Sequence, residues 1–183
     1  MSKSNSELGP APRSRREFVA GAAGLLTFVV AGCERKLTPA QARREEVPLR
    51  TLDAEAVATL ESLGEVLLPG SAAAGLAHYV DHQLSGDPAD SMLMIKYLRV
   101  NPPYREFYLS GLAAARAAGK GLGRELLTAM SSGQVDGWRG PPAPLLYFVL
   151  RSDAVDVVYG TPQGFDSLGV PYMPHIMPPQ RWG

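Results

Sequence analysis

Tyr104, Phe107, Tyr108, Gly111, Leu112 and Ala115 recur at offsets 0, 3, 4, 7, 8 and 11. That is the period of an amphipathic α-helix with one apolar stripe to bury. Aromatic bulk at one end of the stripe gives way to small residues at the other, so Gly111 and Ala115 admit close approach by a neighbouring helix.

Further helical segments are predicted around it. Asp53 is a good N-cap, and Val57, Leu60, Leu63 and Leu67 follow within one arc before Pro69-Gly70 ends the run. A second helix is predicted over about 72–84, with Leu76, Val80 and Leu84 on one side and His78, Asp81 and His82 on a solvated polar face opposite. Residues 92–98 predict a short third helix; Asn101 is placed to cap the stripe helix, which the following prolines open. A fifth helix is predicted over 122–130, after the turn at Gly119-Lys120-Gly121. The sixth, over 145–159, is apolar nearly all round. It is either a central core helix or one covered by another protein, with a strand near 155–159 as the competing reading of its end. The fold class that follows is all-α: a compact bundle of about five to six helices, its body spanning 51–160.

Residues 161–183 hold five prolines with Phe165, Tyr172, Met173, Met177 and Trp182. Such a segment predicts an extended Pro-rich C-terminal arm, which either wraps its own body or lies against a partner. Phe148, Tyr159, Phe165, Tyr172, His175 and Trp182 are the candidate partner-docking residues.

The other end carries an address. Ser14-Arg15-Arg16-Glu17-Phe18 places adjacent arginines before a moderately apolar stretch, the pattern of the twin-arginine (Tat) export route. Ser14, Arg15, Arg16 and Phe18 are its candidate signal residues. Only 16 uncharged residues separate Glu17 from Glu34, short of the roughly 20 that span a bilayer, so cleavage is expected over an uncleaved anchor. Val30-Ala31-Gly32-Cys33 resembles the lipobox of bacterial lipoproteins, in which the cysteine is acylated and becomes the new N-terminus. The competing reading is an ordinary signal peptide ending near Ala31. Residues 1–32 are thus read as the signal peptide and 33–50 as a flexible linker, because the latter are rich in Arg and Glu and poor in large apolar side chains. The expected location is periplasmic, with membrane attachment by a lipid anchor and the Tat translocase as an export partner.

Composition excludes other classes. Without the leader's four basic and two acidic groups, 14 basic and 16 acidic remain, so no nucleic-acid partner is expected. With Cys33 the sole cysteine, neither an internal disulfide nor a thiolate metal cluster can form. His78 and His82, four apart, could face one metal, but the sequence offers no H-E-x-x-H and no third ligand, so no metal site is expected. His175 stands alone on the arm, and the glycines at 119, 121 and 123 lack the spacing of a phosphate loop.

The order of features resembles the gluconate 2-dehydrogenase subunit 3 family, small subunits of membrane-bound FAD-dependent sugar and alcohol dehydrogenases. The likeness rests on the twin-arginine leader, Leu60, Glu65-Val66-Leu67-Leu68-Pro69, Ala74-Gly75-Leu76 leading into Tyr79-Val80-Asp81 and Leu84, then Tyr159-Gly160 and Gly169-Val170-Pro171. It implies a non-catalytic subunit without a cofactor of its own, accompanying an FAD-dependent catalytic subunit of the glucose-methanol-choline class and usually a multihaem c-type cytochrome. The segment between Tyr159 and Gly169 is shorter than the family's usual glycine- and asparagine-rich stretch. The alternative is a free-standing periplasmic lipoprotein acting as a scaffold or ligand-binding module.

Overall fold

The computed structural model describes residues 25–169. Strands β1 (Leu26–Val30) and β2 (Cys33–Leu37) come first, followed by α1 (Pro39–Arg44), α2 (Ala54–Leu67) and α3 (Leu76–Ser85). After them come α4 (Arg105–Ala117), α5 (Arg124–Ser132), α6 (Ala143–Tyr159) and α7 (Pro162–Ser167). Two 3-10 turns, Pro88–Asp90 and Met94–Tyr97, carry the chain from α3 to α4. The described chain is mostly helical, with one small sheet.

The core is organised on α6. Leu146, Val149, Leu150, Asp153, Ala154 and Val157 are buried at the offsets already met in the aromatic stripe, and α6 packs against α2, α3, α4, α5 and α7. The close approach of α4 depends on Gly111, where a Cβ would lie 2.8 Å from Leu146 Cδ2. Tyr108 and Leu112, on the same stripe, are fully buried. Residues 155–159 continue the helix, so no strand forms there.

The motif between α2 and α3 has a structural reason. Asp53 caps α2 by accepting the N–H of Ala56. At the far end the Glu65 carboxylate accepts the N–H groups of Gly70 and Ala72, holding the reversal that follows Pro69. Gly75 then takes φ 88°, and a Cβ there would meet the Pro39 carbonyl oxygen at 2.2 Å. Only glycine lets α1 lie against this corner.

Four expectations are corrected. The fold is not purely helical, because residues read as the end of the leader form β1 and pair antiparallel with β2, Leu26 opposite Leu37 and Val30 opposite Cys33. Alternation decides this: Leu26 and Phe28 face inward while Thr27 and Val29 face out. Nor are residues 33–50 a tether. They supply β2 and α1, and bury Leu37, Ala42 and Val47, with α1 started by a capping box between Thr38 and Gln41. A few well-spaced apolar residues suffice when each one is fully covered. The arm begins as helix α7, since Pro162 occupies the first turn, where a missing N–H is harmless, and Thr161 accepts the N–H of Gly164. Finally, the stripe helix starts at Tyr104, not Asn101.

Candidate functional site

Two surfaces collect the chemistry of the described residues. The first is a seam where the N-terminal segment lies across α3. There the Asp81 side chain is buried and accepts three backbone N–H groups: Arg50 at 2.9 Å, Thr51 at 2.7 Å and Leu52 at 2.8 Å. A carboxylate in a ring of amide donors is a strong, charge-assisted clasp. Beside it His78 Nε2 donates to the Val47 carbonyl at 3.1 Å, and His82 Nε2 donates to the Thr27 carbonyl at 3.0 Å. Phe28 stacks edge-on against the His82 ring, centroids 5.0 Å apart.

The expected solvated polar face of α3 is therefore an internal face. His78, Asp81 and His82 bind β1 and residues 47–52, chain that lies 29 to 55 positions away and leaves no trace in local periodicity. Burial pushes both imidazoles below the usual histidine range, outweighing the carbonyl acceptors that favour the charged ring. Each histidine uses its Nε2 on a different carbonyl, and both Nδ1 atoms are buried without a partner. Among the described residues no group of three His, Cys, Asp or Glu side chains could hold a metal ion.

The second surface is the outer side of α6. Phe148 and Val155 are exposed, as are Met92 and Tyr97 in the neighbouring turn region. Met94, Phe148, Arg151, Ser152, Val155 and Asp156 line a recess of about 270 Å³. Asp156 also borders a second recess of about 210 Å³, walled by Leu26, Pro39, Tyr79, Met92 and Val157. The two recesses adjoin at Asp156.

Beneath this surface lies Asp153, wholly buried, which accepts the Tyr108 hydroxyl at 2.6 Å and the Met94 N–H at 3.3 Å. Burial outweighs both hydrogen bonds and raises its carboxyl to about 7. The Tyr108 hydroxyl is pushed up by burial and by Asp153. Asp153 therefore ties the exposed Met94 turn to the core. Its position on the buried stripe of α6 is the signal that could have found it.

The candidate residues are placed as follows. Val30 and Cys33 close the hairpin, and Ala31 (φ 50°) with Gly32 (φ 81°) make its two-residue turn. Cys33 is exposed. Phe148 lies on the outer groove, whereas Tyr159 and Phe165 are half-buried. Ser14, Arg15, Arg16, Phe18, Tyr172, His175 and Trp182 lie outside the described residues, as does the extended arm beyond residue 169. Met92 and Tyr97 were not anticipated as surface, because the sequence places them within a predicted helix. Among the described residues no helix is long and apolar enough to cross a membrane. Compared with family models, with curated proteins and with solved structures, the chain matches none.

Proposed function

We propose that this chain is a non-catalytic small subunit that lends its twin-arginine signal to a folded, FAD-dependent dehydrogenase and remains bound to it in the periplasm. The observation that carries this is the exposed apolar recess on α6, which holds Phe148, Val155 and Met94, with the exposed Met92 on the recess that adjoins it. Aromatic and methionine side chains are enriched at the centres of protein interfaces, and a contiguous exposed patch of them calls for a covering surface. The class of partner comes from the resemblance to gluconate 2-dehydrogenase subunit 3. In that reading Cys33 carries the lipid anchor, a multihaem c-type cytochrome accepts the electrons, and this chain holds no cofactor.

Two substitutions test the role. Arg15→Lys with Arg16→Lys should leave the flavoprotein in the cytoplasm, read as FAD-dependent dehydrogenase activity in the periplasmic and cytoplasmic fractions. Normal export of that activity would refute the carrier role. Phe148→Glu with Val155→Glu should release the flavoprotein while leaving the thermal midpoint of this chain nearly unchanged, since both side chains are already exposed.

A further inference from the structure

Residues 26–30 have two claims on them. As sequence they belong to the leader, which cleavage before Cys33 would remove; as structure they are β1, with Leu26 and Phe28 each only 7% exposed. Cleavage would therefore vacate a seat that the fold has built. Its shape is known from its occupant: β1 pairs with β2 along five residues, Phe28 lies against His82, and Thr27 accepts from the same ring. Leu26 walls the 210 Å³ recess beside Tyr79, and Phe28 borders a smaller recess of about 80 Å³ beside Arg50. Removing β1 opens the seats of Leu26 and Phe28, and the first of these lines the recess that adjoins the α6 groove at Asp156. It also leaves β2 as a lone edge, its backbone groups without ladder partners and the His82 Nε2–H without the Thr27 carbonyl. A single strand is not stable by itself in water.

We propose that the slot vacated by β1 is filled, in the exported protein, by an extended strand of the dehydrogenase partner, which adds to the edge of β2. The strand needs two apolar side chains two residues apart, one of them aromatic, to take the seats of Leu26 and Phe28, with polar or small residues between. Backbone hydrogen bonds give such β-addition its affinity and the alternate side-chain seats give it specificity. Because the Leu26 seat lines a recess that meets the α6 groove at Asp156, a partner seated on α6 lies within reach of the vacated edge. In the precursor the leader's own strand occupies the slot, so the partner's strand engages fully only after cleavage. The inference rests on the subunit role and on cleavage before Cys33.

The test uses the exported protein as isolated from membranes with its partner. Its mass should place the N-terminus at an acylated Cys33, and amide hydrogen exchange should show residues 34–37 protected. Stripping the partner should expose those amides, and a synthetic peptide of residues 25–31 should protect them again. The same peptide carrying Phe28→Ala should bind at least about tenfold more weakly, whereas Val29→Ser, at an outward-facing position, should bind as the parent does. An exported chain that keeps residues 26–32, or amides 34–37 that exchange freely in the intact complex, would overturn the proposal and leave the subunit role standing. Isolation without any flavoprotein would instead overturn the subunit role and, with it, the assigned occupant.

Discussion

Asp153 and the pair His78 and His82 are all polar groups taken out of water, yet they sit in regions built by different means. Asp153 lies in a helix-on-helix core whose members announce themselves by period, α4 and α6 carrying the same stripe offsets. The histidines lie in a seam closed by chain from 29 to 55 positions away, held by hydrogen bonds to backbone carbonyls and by one clasping carboxylate. A core made from local pattern and a seam made from distant pairing should fail independently, and at different costs. Local opening free energies commonly differ across one structure in this way.

The largest effect should come from the core. Leu146→Ala, which removes the side chain packed on Gly111, is expected to cost about 3 to 5 kcal/mol in denaturant unfolding and to lower exchange protection throughout the chain. Phe28→Ala should cost less, because the ring sits on a two-stranded hairpin where the site can collapse, and its loss of protection should be confined to residues 26–52. If Phe28→Ala loosened α4 and α6 as much as the hairpin, the division into two regions would be wrong.

Protons sharpen the contrast, because the two sites answer them with opposite sign. Asp153 has a folded-state value of about 7 against an ordinary 3.8, so between these the folded chain holds its proton more tightly than the unfolded chain. Its contribution to stability is therefore greatest at low pH and falls as pH rises from about 4 to 7, by an amount of order a few kcal/mol. The histidines are depressed below 6.5, so they favour folding above that value and oppose it as pH falls through it. Once the intrinsic base-catalysed exchange rate is divided out, acidification from pH 8 to 5 should lower protection in residues 26–52 while raising it in α6. Asp153→Asn should remove most of the second change, leaving the part due to Asp156, which burial shifts the same way, and spare the first, since the amide can still accept from Met94 N–H and donate to the Tyr108 oxygen. The smallest effect is expected at the surface pair of Arg35 and Glu45, where Arg35→Ala should shift stability by less than about 1 kcal/mol.

The legible half of the fold is the periodic half. Asp53 marked the start of α2 to the residue, Pro69-Gly70 its end, and the stripe from Tyr104 to Ala115 the inner face of α4. The hairpin was hidden because Leu26, Phe28 and Val30 read equally well as the apolar stretch of a leader, and five residues are too few for periodicity to arbitrate. His78, Asp81 and His82 looked solvated for a related reason. Polar residues opposite an apolar stripe face water unless other chain arrives to bind them, and the chain that arrives here, β1 and residues 47–52, lies too far off in sequence for local periodicity to register it. Among the exposed apolar residues, Phe148 was legible from the shortage of polar residues around α6. Met92 and Tyr97 were not, because this stretch is irregular chain and a short 3-10 turn in place of the regular helix that the sequence predicts.

The functional account stands on company: a helical body whose outer groove is covered by a flavoprotein that leaves the cytoplasm with it. Isolation of the exported chain at its natural abundance, followed by absorbance and mass measurement of the species that contains it, tests this most directly. The account predicts an assembly that carries flavin on a second polypeptide. A flavin-free monomer, stable with Phe148 and Val155 open to solvent, would contradict it.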